Sequence, residues 1–428
     1  MAKKPHVIVV TYPAQGHVIP MLEFSQWLVK YGVRVTFVNT EFSHKTILKS
    51  LSESDNIQEV VNMVPIRDGL KPWEDRNDLR RITESIFSVP PVELESLIIK
   101  INKENGDDKI ACVIADGAMA WALEVAGKLG IRRAAFWTAP AANQMIQLSP
   151  NMPLMNSTDF IWACVGDEAT QKVLFDAMIR SNSSIKSADW IICNSSYDLE
   201  TGAFSLFPNF LSIGPLLASN RLGKSAGYFL PVDSTCLAWL DQQPTSSVIY
   251  VSFGTSTILD QTQFEEVALG LELTNRPFLW VVRTIDVDDV YPKGFKDRVQ
   301  NRGRMVNWAP QQQVLSHPSV ACFISHCGWN STIEGIANGV PFICWPYYAD
   351  QLLNQTYICD EWKVGLGLSK DENGIIRREE LKDQLENLLT DKSYKERALS
   401  LREKVMDSVK EGSSYKNFNK LIDWINDN

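Results

Sequence analysis

The chain of 428 residues contains no apolar run long enough to cross a bilayer. Its opening MAKKPHVIVVTYPAQGH places only a few apolar residues after two lysines, too few for a secretory core. That stretch predicts a first β-strand, and the expected location is cytoplasmic. Basic residues are in the minority, 42 against 51 acidic for a net charge of −9. A nucleic-acid or anionic-membrane surface, which needs clustered Lys and Arg, is therefore not expected, and any anionic ligand has to be held locally. Histidine is scarce: His6, His17, His44, His317 and His326 are scattered without ligand spacing, so no metal is expected. The eight cysteines include no CxxC pair and mostly sit in apolar runs such as ACVIA and PFICWP, which points to reduced, buried thiols. Sequons such as Asn156-Ser-Thr are chance matches without a secretory signal. Two nucleotide motifs are missing too. No G-x-G-x-x-G follows the first strand, and Gly223-Lys224-Ser225 has Ala218 where a P-loop needs its leading glycine.

What is present is the composition of a globular enzyme, with 45% hydrophobic and 22% charged residues, in a chain that suits two domains with a cleft between them. Short runs rich in Val, Ile and Phe alternate with helix-like stretches: HVIVV, a helix from about Val18 to Tyr31, VRVTFVN, then ACVIAD before MAWALEVAGKLG. The alternation predicts an α/β fold with a doubly wound parallel sheet. After the Gly/Pro/Ser-rich SIGPLLASNRLGKSAGYFLP it recurs as SVIYVSF, PFLWVVR, GRMVNW, ACFISH and PFICWP. Residues 1–225 are expected to form an N-terminal Rossmann-like domain and residues 226–413 a second one. The tail reads as two amphipathic helices broken at Gly412-Ser413-Ser414. The last, 414–428, carries Phe418, Leu421, Ile422, Trp424 and Ile425 as an apolar face that packs back on the first domain.

In open α/β sheets ligands bind beyond the C-terminal strand ends, where helix N-termini offer backbone N–H groups and partial positive charge. HCGWNSTIEG, 326–335, fits that place: the strand ACFIS, a glycine turn, then a helix. A diphosphate could sit on the Asn330 and Ser331 amides with His326 donating a further hydrogen bond. Ser331 and Glu334 also spell an S-x-x-E capping box, a structural device favoured by about three to one on those two residues alone. Trp308, Gln311, Asp350 and Gln351 change the odds, because all lie at strand ends on one edge of one sheet. An indole stacks on a base, a carboxylate takes ribose hydroxyls, and Asp350 with Gln351 suits vicinal sugar hydroxyls. Together they describe a nucleotide-sugar site. In the first domain His17 follows Gly16 in the loop after the first strand, and Asp116 ends ACVIAD on the same edge. A lone loop histidine is solvated by default, by about three to one. A carboxylate on one ring nitrogen, though, would fix the tautomer and leave the other to take a proton.

The segment from Trp308 to Gln351 resembles the signature box of the plant family-1 UDP-sugar-dependent glycosyltransferases that decorate small secondary metabolites. PAQGHVIPMLEFS, CVIAD, FWT, CNSSYDLE, SIGPL and CLAWLDQQPTSSVIYVSFGT extend the resemblance over nearly the full chain. It implies a GT-B architecture, two Rossmann-like doubly wound parallel-sheet domains facing a cleft. It implies Trp308 on uracil, whose polar edge meets Ala309 and Gln311, and Glu334 on the ribose. His326, Asn330, Ser331 and Thr255 would hold the diphosphate, and Trp329, Asp350, Gln351 and Thr138 would surround the sugar. Gln351 at the last box position accompanies glucose in this family. His17 would be the general base and Asp116 its partner in an inverting transfer to a small lipophilic acceptor such as a flavonoid, other phenolic, terpenoid or steroid. No cofactor is implied beyond the co-substrate UDP-glucose, and a monomer is expected. Gly16, Met119, Trp121, Met145 and Ala349 are candidates for the acceptor side. After Ala142 the chain looks shorter than the family pattern. A non-catalytic UDP-sugar-binding protein and a nucleotide-sugar isomerase or hydrolase of the same architecture remain as alternatives.

Overall fold

The computed structural model describes residues 4–50, 57–104, 109–139, 160, 163–164, 166–217, 233, 235–255, 257–283 and 290–427. The first sheet contains β1 (His6–Val10), β2 (Arg34–Thr40), β3 (Asn62–Ile66), β4 (Ile110–Asp116), β5 (Arg132–Trp137), β6 (Trp190–Cys193) and β7 (Phe210–Ser212). They run in the order β3-β2-β1-β4-β5-β6-β7, all neighbours parallel. The second contains β8 (Val248–Ser252), β9 (Phe278–Val281), β10 (Gly303–Val306), β11 (Val320–Ser325), β12 (Phe342–Cys344) and β13 (Gly365–Gly367), ordered β10-β9-β8-β11-β12-β13 and again parallel. Both are doubly wound, and in each the order reverses once, between β1 and β4 and between β8 and β11. These are the switch points at which loops diverge and a ligand can enter.

The strand sequences explain the sheets. HVIVV is buried at every position because helices cover both faces, so it reads as a continuous apolar run. The two-residue period divides it: Val7 and Val9 join Val35, Phe37, Cys112 and Ile114 in one core, while Ile8 and Val10 join Val38, Val113 and Ala115 in the other. In the second sheet Ile249, Val251, Trp280, Cys322 and Ile324 form the corresponding core with Phe278 and Phe295. All eight cysteines are free thiols, six of them buried. No described helix is long and apolar enough to cross a membrane.

The described residues up to 217 and from 407 onward form one compact unit, and those from 233 to 406 form another. The expected boundary at 225/226 and residues 218–231 of the Gly/Pro/Ser-rich stretch lie outside the described residues, while its start contributes Ile213 and Leu216 to the first unit's core. Helix Ser413–Asn426 starts at Gly412 and buries Phe418, Leu421, Ile422 and Ile425 in the first unit's core. Phe418 meets Trp27 edge-on at 5.2 Å and Tyr31 at 5.0 Å between ring centres. Trp424 is only partly buried, with the Arg132 guanidinium 4.8 Å above its ring. The same guanidinium donates to the carbonyls of Trp424, Ile425 and Asp427, which a helix leaves without intrahelical donors at its C-terminus.

Candidate functional site

In the first unit the helix after β1 runs Gln15–Lys30, beginning earlier than its apolar periodicity suggests. His17 is therefore in the first helical turn and not in the loop before it. The N-cap is Ala14, without a side-chain cap, and its carbonyl receives the amides of His17 and Val18, both at 2.9 Å. With neither a capping residue nor an apolar one at the first positions, the sequence carried no mark of this start. The consequence is geometric. Asp116, the fully buried last residue of β4, faces the histidine, and Asp116 Oδ2 lies 2.7 Å from His17 Nδ1. Asp116 Oδ1 accepts from the Ala118 amide at 2.9 Å, which fixes the carboxylate plane. Thr138, one residue past β5, brings its Oγ1 to 3.0 Å from the same ring nitrogen, a contact outside the sugar role expected for it. With Nδ1–H committed to the carboxylate, Nε2 is the basic nitrogen, on a side chain that is 31% exposed.

Of the acceptor candidates, Gly16 is exposed beside His17. Met119 and Trp121 are 1% exposed and belong to the core under the sheet, so a ligand could not reach them without repacking; their apolar character serves packing. Ala349 is part of the second unit, at φ +60°. Met145 and the segment after Ala142 lie outside the described residues.

In the second unit the turn His326–Gly328 links β11 to helix Trp329–Ala337, whose N-cap is Gly328. The S-x-x-E capping box does not form, because Ser331 is already the third helical residue and Glu334 the sixth. Their side chains turn instead toward the helix that starts at Gln311. Gln311 Nε2 donates to Ser331 Oγ at 2.8 Å and to Glu334 Oε2 at 2.7 Å, and Gln312 Nε2 donates to Glu334 Oε1 at 3.0 Å. Tyr250 on β8 donates to Gln311 Oε1 at 3.2 Å. Two glutamines thus hold one carboxylate, and Ser331 and Tyr250 in turn fix Gln311. Trp308 is 9% exposed and Ala309 4%. The ladder of the Trp329 helix opens with Thr332 N–H donating to Gly328 C=O at 2.9 Å. The amides of Trp329, Asn330 and Ser331 precede it, the positive end of the helix dipole.

His326 fits in this turn because two glycines make room for it. A Cβ on Gly254, in the loop after β8, or on Gly328 would come within 2.5 Å of His326 Nε2. Burial lowers the imidazole pKa to about 4, the charge of Arg283 adds to the fall, and the Ser252 carbonyl opposes it. The ring is therefore neutral at neutral pH. Thr255 follows Gly254 in the same loop. Gln351 opens the helix after β12, and its Oε1 accepts from the Tyr347 and Tyr348 amides at 2.7 and 3.1 Å, which leaves its Nε2 as the group to offer a ligand. Asp350 Oδ2 accepts from Asn354 Nδ2 at 2.9 Å, and Asn354 Nδ2 also reaches the Cys327 carbonyl at 2.7 Å, tying the two loops together. Cys327 takes φ +63°, an uncommon conformation for a residue with a side chain. Tyr250, Gln312 and Asn354 escaped the sequence reading; their side chains support their neighbours, and only the contact geometry reveals them. Among the described residues no group of three His, Cys, Asp or Glu could hold a metal ion.

The chain resembles known proteins along nearly its whole length. The family model described as UDP-glucoronosyl and UDP-glucosyl transferase matches residues 137–411. UDP-glycosyltransferase 83A1 of Arabidopsis thaliana is 45% identical, over 99% of this chain and 97% of that protein. The alignment spans 457 positions against 428 residues here, so the relative has residues without a counterpart in this chain. Among solved structures, Os79 of O. sativa in complex with UDP superposes with a TM-score of 0.84 at 27% identity, covering 98% of this chain and 100% of that one. UGT2 of Phytolacca americana, complexed with UDP-2fluoro-glucose and pterostilbene, gives 0.79 at 28%, covering 98% and 99%. The fold is accordingly of the GT-B type. By the family match and the full-length relative, the chain belongs to the UDP-glucoronosyl and UDP-glucosyl transferase family and is a plant UDP-glycosyltransferase.

Proposed function

We propose that this enzyme transfers glucose from UDP-glucose to a hydroxyl of a small lipophilic metabolite, with inversion at the anomeric carbon. The observation that carries this reading is the 2.7 Å contact of His17 Nδ1 with buried Asp116. The carboxylate holds the imidazole in the tautomer whose Nε2 takes the acceptor's proton, and it stabilises the imidazolium that results. The acceptor oxygen forms its bond to C1 as the bond from C1 to the β-phosphate oxygen breaks, the electron pair leaving with UDP. Attack opposite the leaving group turns an α-linked donor into a β-glucoside.

On the donor side Trp308 stacks on the uracil, Ala309 and Gln311 meet its edge, and Glu334, prealigned by Gln311 and Gln312, receives the ribose hydroxyls. The amides at the start of the Trp329 helix, with His326, Asn330, Ser331 and Thr255, take the diphosphate. Trp329, Asp350 and Gln351 contact the hexose. Glucose is favoured by Gln351, and the lipophilic acceptor by the pterostilbene bound to the Phytolacca relative. We place the reaction in the cytosol, where free thiols persist.

The test is incubation of the purified protein with UDP-glucose and a mixed panel of plant aglycones, read by mass spectrometry for a hexose increment. A β-linked glucoside is expected. Consumption of UDP-glucose at the same rate without any acceptor would instead identify a hydrolase or isomerase and overturn the reading.

A further inference from the structure

Arg283, two residues past β9, ends the run PFLWVVR, which the sequence marks only as a strand. Its guanidinium donates to the carbonyl of Thr255 and, at 2.5 Å, to that of Thr257. These belong to the loop after β8 in which Gly254, at φ +69°, packs against His326. The charge of Arg283 also adds, after burial, to the fall of the His326 pKa. Among the described residues no carboxylate pairs with it. Two carbonyls brace a guanidinium without neutralising it, and N–H groups remain to spare. In a chain of net charge −9, a fixed cation held on the carbonyls that follow Gly254, a glycine packed against His326, suits an anionic ligand.

We propose that Arg283 is a positioning residue of the donor site, which braces Thr255 and Thr257 and supplies the countercharge for the diphosphate of the nucleotide sugar as it leaves. This rests on the UDP-sugar reading of the second unit. Two variants separate charge from bracing. R283Q keeps amide N–H groups for the carbonyls and loses the charge, while R283K keeps the charge and loses the planar fork. UDP and uridine are titrated into the full-length protein by calorimetry. For R283Q we expect UDP to bind about 10- to 100-fold more weakly, the size of a lost charge-assisted contact, and uridine by less than about 3-fold. R283K is expected to recover most of the UDP loss, and the kcat of R283Q to fall further than that of R283K. Equal losses for UDP and uridine would reduce Arg283 to a structural brace, and unchanged UDP affinity in R283Q would remove it from the site altogether. If R283Q does not fold, R283K decides: UDP affinity within about 3-fold of wild type supports the proposal, and a drop as large for uridine as for UDP overturns it. Failure of the wild-type protein to bind UDP would be seen first and would count against the donor-site reading itself.

Discussion

A histidine becomes a useful base only when something decides which nitrogen holds its proton. Here a buried carboxylate 2.7 Å from Nδ1 does so. Replacing His17 by Ala is expected to lower kcat by about 10²- to 10⁴-fold, the range of general-base catalysis, with UDP affinity in calorimetry unchanged. Asp116→Asn keeps the shape and is expected to cost nearly as much, because the amide can present its N–H to Nδ1 and favour the wrong tautomer. Retained turnover in His17→Ala would take this residue out of the mechanism. His326 makes a different prediction. Its pKa falls to about 4 in the fold against about 6.5 in the unfolded chain, so the unfolded state binds the proton first as pH drops. The corresponding stability is intact above pH ~6.5 and is lost as pH falls toward ~4. It amounts to at most roughly 3 kcal/mol, and less to the extent that the ring keeps an exposed edge. Chemical denaturation of wild type and His326→Asn between pH 4 and 7 should show a shallower slope in the variant.

At the scale of single elements, the turn between β11 and its helix depends on space. Gly328 has φ −59°, which any residue tolerates, yet a Cβ there would meet His326 Nε2 at 2.5 Å. Gly328→Ala therefore tests crowding without backbone strain. Displacement of the imidazole is expected to weaken UDP binding at least about 10-fold in calorimetry, with a stability loss of about 1–3 kcal/mol from overpacking. Elements are also where the sequence was most and least readable. HVIVV, ACVIAD and ACFIS announce themselves because central parallel strands are buried on both faces. Two of the edge strands do not: β3 is NMVPI with Pro65 inside it, tolerated because an edge strand has hydrogen-bonding demand on one side only, and β13 is GLG. Both exist by pairing with a neighbour. The His17–Asp116 contact was legible because Asp116 ends a strand and His17 follows one on the same edge of the sheet. The Ser331–Glu334 spacing was ambiguous, since the same letters serve a cap or a site depending on where the helix begins. The roles of Arg283 and Asn354 were not legible: Arg283 meets backbone carbonyls, and Asn354, besides its contact with Asp350 one turn away, reaches the Cys327 carbonyl, partners that no side-chain pattern encodes.

For the whole molecule, the decisive connection is the helix Ser413–Asn426. Its Phe418 is 1% exposed among Phe24, Trp27 and Tyr31, and Phe418→Ala is expected to destabilise the first unit by about 3–5 kcal/mol. Thermal or denaturant unfolding should show that loss in the transition of the first unit, with UDP binding by the second preserved below it. An unchanged midpoint would mean that the helix adds little to that core. The order of biosynthesis gives this arrangement a further meaning. Domains generally fold as they emerge, the N-terminal one first. In this chain the earliest-made sheet has to wait until the entire second unit has been translated before its last apolar layer arrives. A ribosome that stops early releases a product whose Phe24 and Trp27 lack their cover, a surface that chaperones and proteases recognise.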